Sequence, residues 1–156
     1  MLFRSGEAIS KDMIAVRIGP DWSLAVVASP DYLARRGAPQ TPHELMTHPC
    51  INIRHRPSGA IYAWEFEQDG QAFTVKGEGQ LVFNSILHVL NSALDGLGLG
   101  YVPEHLAAPH IAEGRLVRLL EPWCPRFQGF HLYYPNRRQP SPAFAAFVEA
   151  VRYRPG

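Results

Sequence analysis

The chain has 156 residues, a formal net charge of +1, and charged residues at 19% of its positions. This length is enough for one ordinary domain with its own core, and an apolar fraction of 46% argues against a disordered chain. The basic residues are scattered, with Arg35–Arg36 and Arg137–Arg138 as the only adjacent pairs. The composition therefore argues against a nucleic-acid-binding surface on this chain, which would need clustered positive charge.

The two cysteines and the hydropathy pattern indicate the compartment. Cys50 and Cys124 lie far apart, each beside apolar residues, so we expect two buried free thiols, as in a reducing cytosol. No apolar run is as long as a membrane span, and the N-terminus has no signal-peptide pattern. These features predict a soluble cytoplasmic chain that does not bind a membrane.

The first half of the sequence alternates between short apolar strands and short helices. Ser29 is predicted to cap a helix that ends at Gly37, and Thr41 to cap a second one. Asp69-Gly70, within a predicted turn over 68–71, is a strong hairpin signal. The predicted strands are residues 2–4, 13–18, 22–28, 50–53, 63–67 and 72–75, and residues 54–60 form a polar loop.

The second half contains the most informative stretch, residues 83–120. Asn84 and Ser85 are residue types that cap helices, and apolar residues follow them with helical spacing. Gly96 and Gly98 are predicted to end that helix, and Pro103 suits the first turn of the next. Strands are predicted at 80–83, 99–102 and 130–134, with a further strand between the second helix and residue 120, and Ser141-Pro142 starts a final amphipathic helix. This alternation predicts an α/β chain with a largely parallel or mixed sheet.

The start of the helix after Ser85 is the best candidate site. A helix that begins directly after a strand leaves free backbone N–H groups at the sheet edge, and these groups attract anions. Asn84 and Ser85 therefore have two compatible interpretations. They hold a carboxylate or another polar effector, or they form an ordinary N-cap.

Several blocks of residues, taken in order, resemble the effector-binding domain of the LysR-type transcriptional regulators. The resemblance implies a type-2 periplasmic-binding-protein-like fold, with two Rossmann-like lobes, two crossover strands, and a small-molecule effector in the cleft between the lobes. The blocks are residues 3–7, 13–17, 24–32, 41–45, 48–51, 63–66, 93–103, 114–120, 130–134 and 141–148.

The same resemblance implies how the chain is organised. Residues 1–21 and 136–156 would belong to lobe I, and residues 22–135 would form lobe II with the crossover strands. The family's helix-turn-helix domain and the first part of its lobe I have no counterpart in this sequence. We therefore expect a member truncated on its N-terminal side, with lobe I incomplete, whose parent protein binds DNA only through the absent domain.

The resemblance also implies further cleft residues, and each has a structural alternative. Phe83 would face the cleft or be a buried strand residue, and Arg4 and Ser5 would line the cleft or lie at a surface terminus. Trp64 and Phe66 would offer an apolar wall or pack in lobe II. Tyr101 and Pro103 would lie near the cleft or serve as core and turn residues.

Enzyme chemistry has no visible support in the sequence. The seven histidines show no metal-binding pair, no nucleophile elbow occurs, and the acidic residues are dispersed. No catalytic residue, metal site or cofactor is therefore predicted. The expected function is effector sensing that controls transcription through lobe reorientation and contacts within a homo-oligomer, at least a dimer. The alternative is a stand-alone solute-binding protein of the same fold.

Overall fold

The structure is a computed structural model that describes residues 2–4, 13–54, 58–135 and 141–155, with only the backbone for residues 2–4. The chain divides into two compact units, which we describe separately. Unit 1 comprises Met1–Trp22 and Arg126–Gly156, and unit 2 comprises Ser23–Pro125. The predicted assignment of residues to effector-binding lobes stays a prediction.

The described residues contain short strands and four α-helices. The helices are α1 (Pro30–Arg36), α2 (Ile86–Leu94), α3 (Glu104–Ala112) and α4 (Pro142–Val151), with 3-10 helices at Pro42–Thr47 and Glu121–Trp123. The strands are β1 (Leu2–Arg4), β2 (Met13–Arg17), β3 (Trp22–Ala28), β4 (Cys50–Ile53), β5 (Trp64–Gln68), β6 (Gln71–Val75), β7 (Val82–Phe83), β8 (Leu99–Pro103), β9 (Val117–Leu119), β10 (Arg126–Phe127) and β11 (His131–Pro135). None of these helices has the length and apolar composition needed to cross a membrane.

Unit 2 has a mixed sheet in the order β9-β3-β8-β4-β7. Strand β4 runs parallel to both β7 and β8, whereas β3 is antiparallel to β8 and to β9. The apolar face of α2 packs on this sheet, with Val89 and Ala93 buried in the same cluster as Ile51 and Val102. The predicted α/β class and mixed sheet are confirmed.

A helix cap and a hairpin turn of unit 2 follow from residues that are neighbours in the sequence. The Ser29 hydroxyl accepts from the backbone N of Tyr32 at 3.1 Å, as expected of an N-cap. Asp69 and Gly70 have φ of 51° and 76°, the positive values that a two-residue hairpin turn requires. Gln68 pairs with Gln71, so the turn is shorter than the predicted turn over 68–71. Because the turn is shorter, β5 extends to Gln68 and β6 begins at Gln71.

Unit 1 has a three-stranded antiparallel sheet in the order β1-β11-β2. Helix α4 packs on it, since Val148 is buried together with Val16 and Leu132. Helix α4 starts after Ser141, as predicted, and the Ser141 hydroxyl caps it by accepting from the backbone N of Phe144 at 3.3 Å.

Candidate functional site

Two parallel strands of unit 2 end at the same edge of the sheet. In the register of β4 with β7, Ile53 lies opposite Phe83, and the backbone N of Arg54 donates to the Phe83 carbonyl at 2.7 Å. Helix α2 begins three residues after Phe83. The edge therefore brings Arg54, Asn84 and the first turn of α2 into one neighbourhood.

The first turn of α2 has no side-chain cap. Ser85 occupies the N-cap position with extended backbone angles (φ −133°, ψ 129°), but its hydroxyl makes no capping hydrogen bond. Asn84 is exposed and Ser85 is half-buried. The expectation that Ser85 acts as an ordinary N-cap is therefore wrong for its side chain. A helix start without a capping hydrogen bond from its own N-cap side chain can donate its first N–H groups to an external anion.

Phe83 is the last residue of β7 and lies at the sheet edge where β4 and β7 end. It is half-buried, packs against the core of unit 2, and its ring centroid lies 5.6 Å from that of His88. This position is compatible with either interpretation of Phe83, so its role in binding stays a prediction.

Arg54 is a candidate that sequence reasoning missed. It falls at the start of a stretch interpreted as a polar loop, and nothing local connects it with Phe83, which is 29 positions away. Only the parallel pairing of β4 with β7 places the two together. The Arg54 guanidinium is exposed and donates to the Gly59 carbonyl at 2.6 Å.

Three predicted site residues are buried in an aromatic cluster of unit 2. Trp64 and Phe66 are each 1% exposed, and their rings lie 5.1 Å and 5.9 Å from the ring of Tyr101. The Tyr101 hydroxyl donates to the Glu65 carbonyl at 2.7 Å, and burial raises the pKa of Tyr101. Trp64, Phe66 and Tyr101 therefore pack together inside unit 2, which was the structural alternative to lining a cleft.

The remaining predicted residues lie elsewhere. Pro103 is half-buried and pairs with Leu24 at the end of β8, one residue before α3, so it precedes the first turn it was predicted to join. Arg4 pairs with His131 through β1, and its side chain lies outside the described residues, as does Ser5. Their roles in binding also stay predictions.

A polar network, not anticipated from the sequence, begins where β3 enters unit 2. The buried Ser23 hydroxyl donates to the Glu104 carboxylate, which also pairs with the Arg118 guanidinium. Arg118 lies 3.4 Å from a Glu121 carboxylate oxygen as well. Ser23 lies 81 positions from Glu104 in the sequence, and the antiparallel pairing of β3 with β8 and β9 brings Ser23 close to Glu104 and Arg118.

Metal binding and thiol chemistry each require particular side chains and surroundings. The described residues include no group of three His, Cys, Asp or Glu side chains that could hold a metal ion. Both cysteines are free thiols, as predicted, but only Cys50 is buried; Cys124 is half-buried, so the expected burial is wrong for it. Burial raises the pKa of Cys50 to about 12, so its reactive thiolate is scarce.

In open α/β sheets, ligand-binding domains commonly hold their ligand at the carboxyl ends of the strands, where α2 of this chain begins. The family follows from comparison: residues 1–155 match the LysR substrate binding domain model, and the chain belongs to this family. A transcriptional regulator of Pseudomonas aeruginosa is 52% identical over 150 residues, and these cover 96% of this chain and 49% of the relative. The HTH-type transcriptional regulator PgrR of Escherichia coli is 40% identical, over 97% of this chain and 50% of PgrR.

Solved structures agree with the family and the fold. The regulatory domain of AphB from Vibrio vulnificus superposes with a TM-score of 0.75 at 25% identity, covering 95% of this chain and 73% of that one. This likeness supports the expected type-2 periplasmic-binding-protein-like fold. The chain spans about half the length of the curated relatives it matches.

Proposed function

We propose that this chain is the effector-sensing domain of a LysR-type transcriptional regulator that acts in the cytoplasm. Its membership of the LysR substrate-binding family carries the proposal, and the relatives described above are transcriptional regulators. This favours sensing over the alternative of a stand-alone solute-binding protein. Binding, not catalysis, is the proposed activity.

The proposed effector is a small molecule with a carboxylate or a similar anionic group. The uncapped first turn of α2 supports this choice, because its N–H groups can donate to an anion without displacing a side chain. Asn84 adds an exposed amide beside the turn, and Arg54 adds a positive charge at the same sheet edge. An arginine can hold a carboxylate through two parallel hydrogen bonds.

The longer protein would use the bound effector to change transcription. Effector binding would shift the orientation of the two lobes, and contacts in a homo-oligomer would pass this shift to the DNA-binding domain of the longer protein. The domain itself is proposed to form at least a dimer.

A ligand screen with matched variants tests the site. A panel of aliphatic and aromatic carboxylates is screened by thermal shift on a protein that includes the whole regulatory domain, and the hits are titrated by calorimetry. The double change Asn84→Ala with Ser85→Ala should weaken binding of an acidic hit about tenfold or more, because two polar partners of the anion are lost. The melting temperature should change little, since neither side chain caps α2 by the hydrogen bond that Ser29 makes in α1.

The control is Asn91→Ala, which removes the same amide from an exposed position in the last turn of α2. It should leave the affinity unchanged. Equal affinity of the double variant and the unchanged protein for a confirmed acidic ligand would contradict the role of the helix start. Arg54→Gln gives a separate measure of the contribution of the guanidinium charge.

A further inference from the structure

Arg54 lies at the end of β4, where the chain folds back on itself within unit 2. We call residues 59–62 the return segment. Arg54 forms an antiparallel bridge with Ile61 of this segment. The Gly59 carbonyl, at the start of the segment, accepts from the Arg54 guanidinium at 2.6 Å. The direction in which the guanidinium points therefore depends on where the return segment is held.

Tyr62 ends the return segment and fixes it at two points. Its backbone N donates to the Ile53 carbonyl at 2.9 Å. Its hydroxyl donates to the Glu65 carboxylate. Burial, together with this hydrogen bond, raises the pKa of Tyr62, so the hydroxyl keeps the proton that it donates. Tyr62 therefore joins the end of β4 to strand β5 by one backbone contact and one side-chain contact.

Glu65 is held in place by the aromatic cluster of unit 2. It lies in β5 between Trp64 and Phe66, which are both buried. Its carbonyl accepts from the Tyr101 hydroxyl at 2.7 Å, and the Tyr62 ring lies 6.4 Å from the Tyr101 ring. Because its neighbours pack in the core, the Glu65 backbone is fixed, and its carboxylate reaches Tyr62 from a fixed origin.

We propose that Tyr62 and Glu65 are positioning residues, which hold the return segment so that Arg54 presents its guanidinium to the carboxylate of an effector. A long arginine side chain loses conformational freedom when it binds an anion, and the Gly59 carbonyl restrains it in advance. The guanidinium has further N–H donors for the carboxylate. The inference rests on the proposed function, because it concerns the same sheet edge. It assigns the preference of that edge for an acidic over a neutral ligand to a contact outside the edge itself.

Nitrogen NMR relaxation of the Arg54 Nε–H group, measured without effector, tests the positioning. Tyr62→Phe removes the hydroxyl and keeps the ring, so the order parameter of this group should fall by about a third. Tyr32→Phe is the matched control. It removes a hydroxyl that contacts His48, before the start of β4, and should leave Arg54 unchanged. An unchanged order parameter in Tyr62→Phe overturns the proposal.

Glu65 offers a rescue test of the same contact. Glu65→Ala should lower the Arg54 order parameter as Tyr62→Phe does. Glu65→Gln keeps an acceptor oxygen for the hydroxyl and should retain most of the order. If glutamine loses as much as alanine, the hydrogen bond to Tyr62 does not position Arg54, and the proposal fails.

Calorimetry on the protein with the whole regulatory domain tests the selectivity, with an acidic hit and its carboxamide as the two ligands. Tyr62→Phe should weaken binding of the carboxylate about three- to tenfold and leave that of the amide unchanged, because only the charged ligand uses the guanidinium charge. No loss for the carboxylate, or an equal loss for both ligands, overturns the proposal. A screen without an acidic hit would contradict the proposed function, whereas the NMR result would still decide whether Tyr62 positions Arg54.

Discussion

Burial controls the chemistry of individual side chains in unit 2. Cys50 is 1% exposed, its Sγ lies 3.6 Å from the Leu45 carbonyl oxygen, and burial raises its pKa to about 12. Tyr32 and His48 form a second, partly buried contact, 2.7 Å between the hydroxyl and Nδ1, and burial lowers the pKa of His48. In both cases the charged form is disfavoured because it would lose its hydration.

The Cys50 thiol should be unreactive in the folded protein. At about pH 8 an ordinary thiol is partly ionised, but one with a pKa near 12 has almost no thiolate. In a Cys124→Ser variant, Cys50 should react with a disulfide reagent at least about 100-fold more slowly than the same variant in denaturant. Comparable rates in the two conditions would contradict the burial of Cys50.

The stability of unit 2 should depend on His48 at mildly acidic pH. With its pKa lowered by burial, folded His48 binds fewer protons than unfolded His48, so its contribution to stability is present at neutral pH and is lost as the pH falls below about 6.5. His48→Gln should therefore reduce the loss of unfolding free energy between about pH 7.5 and pH 5.5, measured in urea. His105→Gln, an exposed position on α3, is the control and should leave this loss unchanged.

At the scale of elements, residues 78–81 run alongside β4 in backbone contact, and the residue at the closest approach is a glycine. The backbone N of Cys50 donates to the Glu78 carbonyl at 2.8 Å, and the backbone N of Asn52 donates to the Leu81 carbonyl at 2.9 Å. A Cβ at Gly79 would lie 2.0 Å from the Cys50 carbonyl oxygen, far inside any permitted contact. The segment can approach β4 only because residue 79 is glycine.

Gly79→Ala should destabilise the protein strongly. The added methyl meets backbone atoms of a buried strand, which cannot move aside, so we expect a loss of about 3 kcal/mol or more in unfolding free energy. Gly19→Ala is a suitable control, because its Cβ would meet only the Phe130 backbone N, at 3.9 Å. Urea unfolding of both variants measures the difference, and similar losses would argue against the close approach.

The elements predicted well are those whose signals are local. The strand at Trp22–Ala28, the cap at Ser29 and the helix start at Ser141 follow from neighbouring residues, and the structure has them as expected. The predicted Thr41 cap is wrong, because its side chain makes no capping hydrogen bond. The site was only partly predictable, because its geometry depends on pairings between distant segments. The position of Arg54 beside Phe83 requires the β4–β7 register, and the absence of a Ser85 cap depends on a side-chain orientation that residue type does not determine.

At the scale of the whole molecule, the open surfaces of unit 1 favour self-association. Among the described strands of its sheet, β1 and β2 are the outer ones, and the apolar side chains of Ile14 and Phe147 are 36% and 38% exposed. Outer strands and exposed apolar side chains promote contacts between chains. Light scattering at tens of micromolar protein should therefore give a mass of at least twice 17.4 kDa. A monomer at that concentration would contradict the proposed dimer.

The position of β11 between β1 and β2 has a consequence for the order of folding. On the ribosome, the middle strand of this sheet is made more than 100 residues after its two neighbours, whereas Ser23–Pro125 is continuous. The continuous part can form while synthesis is still under way, but the two early strands must wait, unpaired, for the late one. A released chain that ends at residue 130 should therefore protect Ser23–Pro125 from protease, while residues 2–4 and 13–17 remain open to cleavage.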